Sequence, residues 1–331
     1  MKKRDFFIFL FLLIIIFLLI FLIFPFREIK EGKKTEKFIG KLQGGLINLE
    51  KEKEKSKEES KEESNVSLPF FPTRKKELKP LLLEKAALAA LFYSEKSPPY
   101  ILYEKETHQK LSFASLTKLM TAMIVLDWYP LEKEVEISRE AVLTEGESGR
   151  LSLGEKISIR GLLELSLLVS SNDASTALAE IIGERKFIDL MNKKAKEIGL
   201  KNTYFLNPHG LDQEGHYSSA YDLALMTYYS LYHYPLIWEI LSLKEKNIIS
   251  KDYLGREINH YARNTNKLLG IDYVLGGKTG YTGKALDTMI LAIEAPGKVK
   301  GYVVLVLLGV DKRIERTKQL YEWLFQAWQW E

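Results

Sequence analysis

From Phe6 to Phe24 the chain reads FFIFLFLLIIIFLLIFLIF, an unbroken apolar run that a water-soluble fold would have to hide completely. As a helix rising ~1.5 Å per residue it would be about 28 Å long, close to the hydrocarbon thickness of a bilayer. It carries no polar stripe, which argues against a helix lying on a globular core. Lys2, Lys3 and Arg4 precede it, a charge pattern that keeps the N-terminus cytoplasmic and sends the rest outward. A cleavable signal peptide is the competing reading. Such a segment has a shorter apolar core and ends in small residues, whereas this run ends Phe24-Pro25-Phe26-Arg27. Residues 1–26 are therefore expected to be a basic tip and an uncleaved, single-pass transmembrane helix in the cytoplasmic membrane.

Residues 27–79 change character. Glu50 to Ser64 is almost entirely Lys, Glu and Ser, with nothing apolar to bury, and reads as a solvated tether closed by Pro69, Pro72 and Pro80. A flexible chain of about 53 residues has a root-mean-square reach of ~40 Å, enough to lift a domain off the membrane. Residues 80–331 are long enough for one domain with its own core. The chain has no cysteine, which excludes disulfides, thiolate metal sites and a cysteine nucleophile. A net charge of +4, scattered over 331 residues without a Walker loop or GxGxxG run, gives no footprint for nucleic acid. His108, His209, His216, His233 and His260 show no metal-ligand spacing, so neither a metal nor a cofactor is expected.

Strand-like runs at Ala86–Tyr93 and Pro99–Glu104 flank a Ser-Pro-Pro connection. Helical spacing marks Ser115–Asp127, Ile159–Val169, Ala174–Ile182, Lys186–Ile198 and Ser218–Tyr232. Strands return at Asp272–Lys278, Thr288–Glu294 and Gly301–Val310, and Gln319–Trp330 reads as a closing amphipathic helix. Its Trp323, Trp328 and Trp330 are expected to pack on the sheet rather than to touch a membrane. Strands at both ends of a helical middle give an α+β class, an antiparallel sheet with helices packed on it.

Three short motifs carry chemistry: Ser115-Leu116-Thr117-Lys118, Ser170-Ser171-Asn172 and Lys278-Thr279-Gly280. In the first, Ser115 and Lys118 lie one helical turn apart on one face, so the lysine can reach the hydroxyl proton. Lysine is a base only when neutral; burial and a second ammonium, which Lys278 would supply, both favour that form. On a strand, Lys278 and Thr279 point to opposite faces. Gly277 and Gly280 lack a Cβ and leave room for a substrate backbone. Alone, each motif is common. In this order, each in its required context, the set points to a serine acyl-transfer site.

The set resembles the penicilloyl serine transferases, the superfamily of penicillin-binding proteins and serine β-lactamases. Phe113-Ala114-Ser115-Leu116-Thr117-Lys118, Asn207-Pro208-His209-Gly210-Leu211-Asp212, Ser218-Ser219-Ala220-Tyr221-Asp222 and Asn264-Thr265-Asn266-Lys267 are more specific. They resemble the low-molecular-mass D-Ala-D-Ala carboxypeptidases, peptidase family S11, over about residues 84–329. The resemblance implies that Ser115 attacks the carbonyl between two terminal D-alanines of a peptidoglycan stem peptide and that β-lactams acylate it. It implies Lys118 or a water relay as base, and Ser170 and Lys278 as proton relay to the leaving group. Asn172 would hold the substrate amide; Thr279, with Arg313, its carboxylate; and the N–H groups of Ser115 and Tyr281, beside Gly280, the oxyanion. His209 would brace a loop. Tyr281 stands where many relatives carry His. The family's best-known members also have a β-rich second domain and a C-terminal amphipathic anchor; here Glu331 follows soon after the last catalytic-domain helix, and the N-terminal segment is expected to serve as the anchor, which places the catalytic domain outside the cytoplasm. A D,D-endopeptidase would use the same residues. A β-lactamase would need a deacylating glutamate, for which no convincing position is found, and a non-catalytic β-lactam sensor would not need the full set.

Overall fold

A computed structural model describes residues 70–75, 85–146 and 149–330. Residues 6–24 and most of the tether lie outside them; among the described residues no helix is long and apolar enough to cross a membrane. Residues 69–331 form one compact unit. It opens with β1 (Thr73–Arg74), then β2 (Ala86–Phe92) and β3 (Tyr100–Lys105). A 3-10 turn at Ala114–Thr117 leads into α1 (Lys118–Trp128), followed by β4 (Glu134–Glu136), α2 (Arg139–Val142) and β5 (Lys156–Ser158). The helical middle is α3 (Ile159–Leu168), α4 (Asn172–Glu180), α5 (Glu184–Ile198), α6 (Ala220–His233) and α7 (Pro235–Ser242). Last come β6 (Glu245–Lys251), β7 (Glu257–Arg263), β8 (Val274–Thr282), β9 (Leu286–Glu294), β10 (Tyr302–Val310), α8 (Arg313–Ala327) and β11 (Trp328–Gln329).

The main sheet is antiparallel, ordered β3-β2-β10-β9-β8. Its central strands show no polar alternation because both faces are covered. Leu88, Ala90, Val304, Val306 and Ile290 point into a core shared with the helical middle. Their neighbours Ala87, Ala89, Leu91, Val303, Leu305 and Leu291 point into a second core under α8. The architecture is therefore three layers, and the expected α+β class holds. A smaller sheet, β4-β5-β6-β7, borders the helical layer. Helix starts follow the sequence: Ser158, Ser171 and Ser219 accept hydrogen bonds from Gly161, Ala174 and Asp222 N–H and cap α3, α4 and α6.

Three local expectations are corrected. Ser115 lies in the 3-10 turn, and the α-helix starts only at Lys118, because Ala114 takes a left-handed φ of 49° that an α-helix cannot include. The closing helix begins at Arg313 and stops at Ala327. Trp328 then turns extended and pairs with Arg74, as Gln329 does with Thr73. Those partners fall inside the segment expected to be tether. Phe71 adds to the contact by packing edge-on to Tyr93, 4.9 Å between ring centres, and against Tyr100 at 5.2 Å. Trp323, Trp328 and Trp330 are buried in the second core.

Candidate active site

The three motifs converge at the junction of β8, α1 and the turn between α3 and α4. Phe113 anchors the nucleophile segment: it is buried, with its ring stacked on His216 at 4.7 Å and edge-on to Phe205. Thr117 Oγ1 donates to the Ala114 carbonyl at 2.8 Å and lies 2.9 Å from His216 Nε2. His216 Nδ1 accepts from Leu206 N–H at 3.0 Å, so the neutral ring carries its proton on Nε2 and donates it to Thr117. Burial holds His216 neutral, with its pKa pushed down to about 4. Gly210 (φ 91°) lies against this turn so closely that a Cβ would stand 2.0 Å from the Ala114 oxygen.

Lys118 is fully buried. Its Nζ is 3.0 Å from Ser115 Oγ and 2.6 Å from both Asn172 Oδ1 and the His209 carbonyl. Those two carbonyl oxygens can only accept, so a neutral amine satisfies both with its two hydrogens and turns its lone pair to Ser115 O–H. The Asn172 amide is oriented by its other end, which donates to the Glu145 carbonyl at 2.7 Å. Burial, then the charge of Lys278, hold the Lys118 pKa well below its ordinary value, against a smaller opposing pull from Asp173.

Ser170 follows α3 in a left-handed conformation, φ 64°, a strained state for a serine. The strain aims its hydroxyl at Lys278, whose Nζ donates to Ser170 Oγ at 2.8 Å and to the Thr279 carbonyl at 3.0 Å. Lys278 is also buried; burial first, and then Arg313, push its pKa down to about 7. The turn is secured by Asp173, which accepts from Leu151 N–H at 3.1 Å, and by a short hydrogen bond from Ser171 to Asp173.

β8 is an edge strand, and among the described residues its outer backbone groups have no strand partner. Thr279 is buried and donates to Thr265 Oγ1 at 2.7 Å, while the Tyr281 ring is 63% exposed. Gly277 and Gly280 make room for the protein itself rather than for substrate. A Cβ on Gly280 would stand 2.5 Å from Thr288 Oγ1 and 2.9 Å from Ser115 N; one on Gly277 would stand 2.5 Å from the Ile290 oxygen. The absent Cβ at Gly280 is what brings the N–H groups of Ser115 and the strand together. Arg313 lies further off, its guanidinium paired with Asp287, which also accepts from the Arg313 N–H at 3.1 Å. Thr265 and His216 are participants that the motifs did not predict. Thr265 lies in a stretch that resembles the family and His216 between two such stretches, neither with a spacing relation to Ser115. Among the described residues no cluster of acidic or histidine side chains could hold a metal ion.

The sequence model of the D-alanyl-D-alanine carboxypeptidases, peptidase family S11, matches residues 78–311. The chain belongs to that family. Among S11 relatives it is 36% identical to the D-alanyl-D-alanine carboxypeptidase DacF of Bacillus subtilis, over 70% of this chain and 59% of that protein. A D-alanyl-D-alanine endopeptidase of Pseudomonas aeruginosa is 32% identical over 74% of this chain and 79% of its own. This chain thus spans less than two thirds of the carboxypeptidase and more than three quarters of the endopeptidase. In three dimensions it is similar to a Streptomyces DD-transpeptidase with a TM-score of 0.68 at 24% identity, covering 76% of this chain and 100% of that one. The fold of the S11 chain is thus that of the penicillin-binding DD-peptidases.

Proposed function

We propose that this chain is a serine D-alanyl-D-alanine carboxypeptidase that removes the terminal D-alanine of peptidoglycan stem pentapeptides and is inhibited by β-lactams. The observation that carries the reading is the Lys118 amine: two carbonyls occupy its hydrogens and Ser115 Oγ stands 3.0 Å away. Lys118 takes the Ser115 proton as Oγ attacks the carbonyl carbon, and the N–H groups of Ser115 and Tyr281 hold the resulting oxyanion. The carbon–nitrogen bond then breaks, with Ser170 and Lys278 passing a proton to the departing amine. Asn172 holds the substrate amide; Thr279 and Arg313 hold its carboxylate. Water cleaves the ester and regenerates Ser115. Residues 6–24 anchor the enzyme in the cytoplasmic membrane, with residues 27 onward outside.

The test is mass spectrometry of the full-length chain in detergent after incubation with benzylpenicillin. One penicilloyl group is expected, on the tryptic peptide bearing Ser115, and absent from Ser115→Ala. An adduct on another serine would sink the mechanism. A second reading, cleavage of peptidoglycan crosslinks, is favoured by the fuller coverage of the endopeptidase relative.

A further inference from the structure

The loop Asn207–Asp212 touches both halves of the catalytic machinery. It is closed on itself: Asn207 Oδ1 accepts from Gly210 N–H at 2.7 Å, and the same amide donates to the Leu211 carbonyl at 3.1 Å. Its first half rests on the segment that carries the nucleophile. The Pro208 carbonyl accepts from Thr121 Oγ1 and the His209 carbonyl from Lys118 Nζ, each at 2.6 Å, and Gly210 lies against the Ala114 carbonyl. Its last residue reaches the other way. Asp212 Oδ1 accepts from Thr282 Oγ1 at 2.7 Å, and Oδ2 accepts from Lys284 N–H at 3.0 Å. Thr282 Oγ1 in turn accepts from Ala285 N–H at 3.0 Å. One carboxylate therefore holds the turn that joins β8 to β9.

The end of β8 needs such a support. The strand is paired with β9 alone, and its last rung is Thr282 with Leu286. Leu286 takes a left-handed φ of 57°, so the turn is held in a conformation that a leucine does not favour. Tyr281, one residue before Thr282, turns most of its ring to solvent, and its side chain does little to locate its N–H. An oxyanion donor is effective only at about 2.7–3.1 Å from the charge that forms, so a small shift of the strand end is felt in the reaction. Hydrogen bonds to a charged acceptor such as Asp212 are the stronger kind.

Resting on the serine-peptidase reading above, we infer that Asp212 is a positioning residue for the reaction. Through Thr282 and the turn it fixes the Tyr281 N–H relative to Ser115 and Lys118, so that nucleophile, base and oxyanion donors keep one geometry. Asp212 touches no reacting atom in this role. Acylation of Ser115 and hydrolysis of the ester both pass through an oxyanion, so both depend on the link. Binding of the ground-state substrate does not, because its carbonyl oxygen has yet to gain the charge.

The test is a double-variant cycle on the full-length chain in detergent, with Asp212→Ala, Thr282→Val and the two combined. Hydrolysis of a pentapeptide ending in D-Ala-D-Ala gives kcat and KM. Inhibition by a peptide boronic acid, which forms a tetrahedral anion on Ser115, reports binding at the oxyanion site. Each single variant should lower kcat about tenfold with KM within about twofold, and weaken the boronate by a similar factor. The double variant should fall about as far as Asp212→Ala alone, because both changes remove the same link. Thr282→Val keeps the side chain's shape, so the comparison stands even where Asp212→Ala melts too low to assay. Additive losses of about a hundredfold, a raised KM with kcat intact, or unchanged kcat beside a lower melting temperature would each overturn the inference and leave the peptidase standing. Should wild type leave the pentapeptide intact, the carboxypeptidase reading falls, while boronate affinity across the same variants still decides the role of Asp212.

Discussion

Two buried lysines near one serine cannot both stay cationic without cost, and their surroundings separate them. Lys118 faces two carbonyl oxygens and Ser115, with its pKa depressed by burial and then by Lys278; Lys278 is held at about 7 by burial and then by Arg313. The pair titrates as a unit, but the roles differ in sign. In the proposed mechanism Lys118 must lose its proton to act, so the kcat/KM for acylation should rise with pH through its depressed pKa. In the same scheme Lys278 must keep its proton to pass one through Ser170 to the leaving group, so the rate falls as pH passes about 7. The expected profile in free enzyme is a bell. Lys278→Arg should lose the alkaline limb while keeping measurable acylation, since a guanidinium does not titrate in this range. Lys118→Arg should lower acylation by at least about 100-fold at every pH. Stopped-flow acylation by a chromogenic cephalosporin between pH 5 and 10 decides it. Near wild-type acylation by Lys118→Arg would place the base elsewhere.

The contact between β1 and β11 ties a segment far upstream of the catalytic strands to the end of the chain, and Phe71 fills the corner between Tyr93 and Tyr100. Phe71→Ala should cost about 1–2 kcal/mol through lost area and ring contacts. The melting temperature, followed by near-ultraviolet circular dichroism, should drop by a few degrees; an unchanged value would mean that this corner melts separately from the domain. Nothing in Phe71-Pro72-Thr73-Arg74 announces a strand, because two residues are too few for a period. The β6–β7 hairpin was equally illegible: its inward face carries Lys246, Ser250 and His260 among Ile248, Ile258 and Ala262, so polar residues break the apolar alternation. The central strands, the middle helices and the three motifs were legible for the opposite reason. Their signals are local, an apolar run or a fixed spacing. Thr265 reaching Thr279, and His216 reaching Thr117 across 99 positions, are products of the fold and leave no local pattern.

For the whole molecule, the proposed anchor and the domain outside it make a simple expectation. Full-length protein should sediment with membranes and resist extraction by carbonate, while protease added from the outer face of the cytoplasmic membrane should release the domain. A mature N-terminus near Arg27 would refute the anchor and leave the enzyme untouched. Within the domain, β2, β9 and β10 are shared by two cores but share none of their side chains, because successive residues turn to opposite layers. The strand Ala86–Phe92 therefore has no position where change is free, since every residue in it is buried. A larger residue at Ala89 strains only the layer under α8, and one at Ala90 only the helical layer behind the active site. Over evolutionary time the two layers can drift independently. Compensating changes should co-vary within a layer and across strands, and scarcely at all between neighbours in sequence.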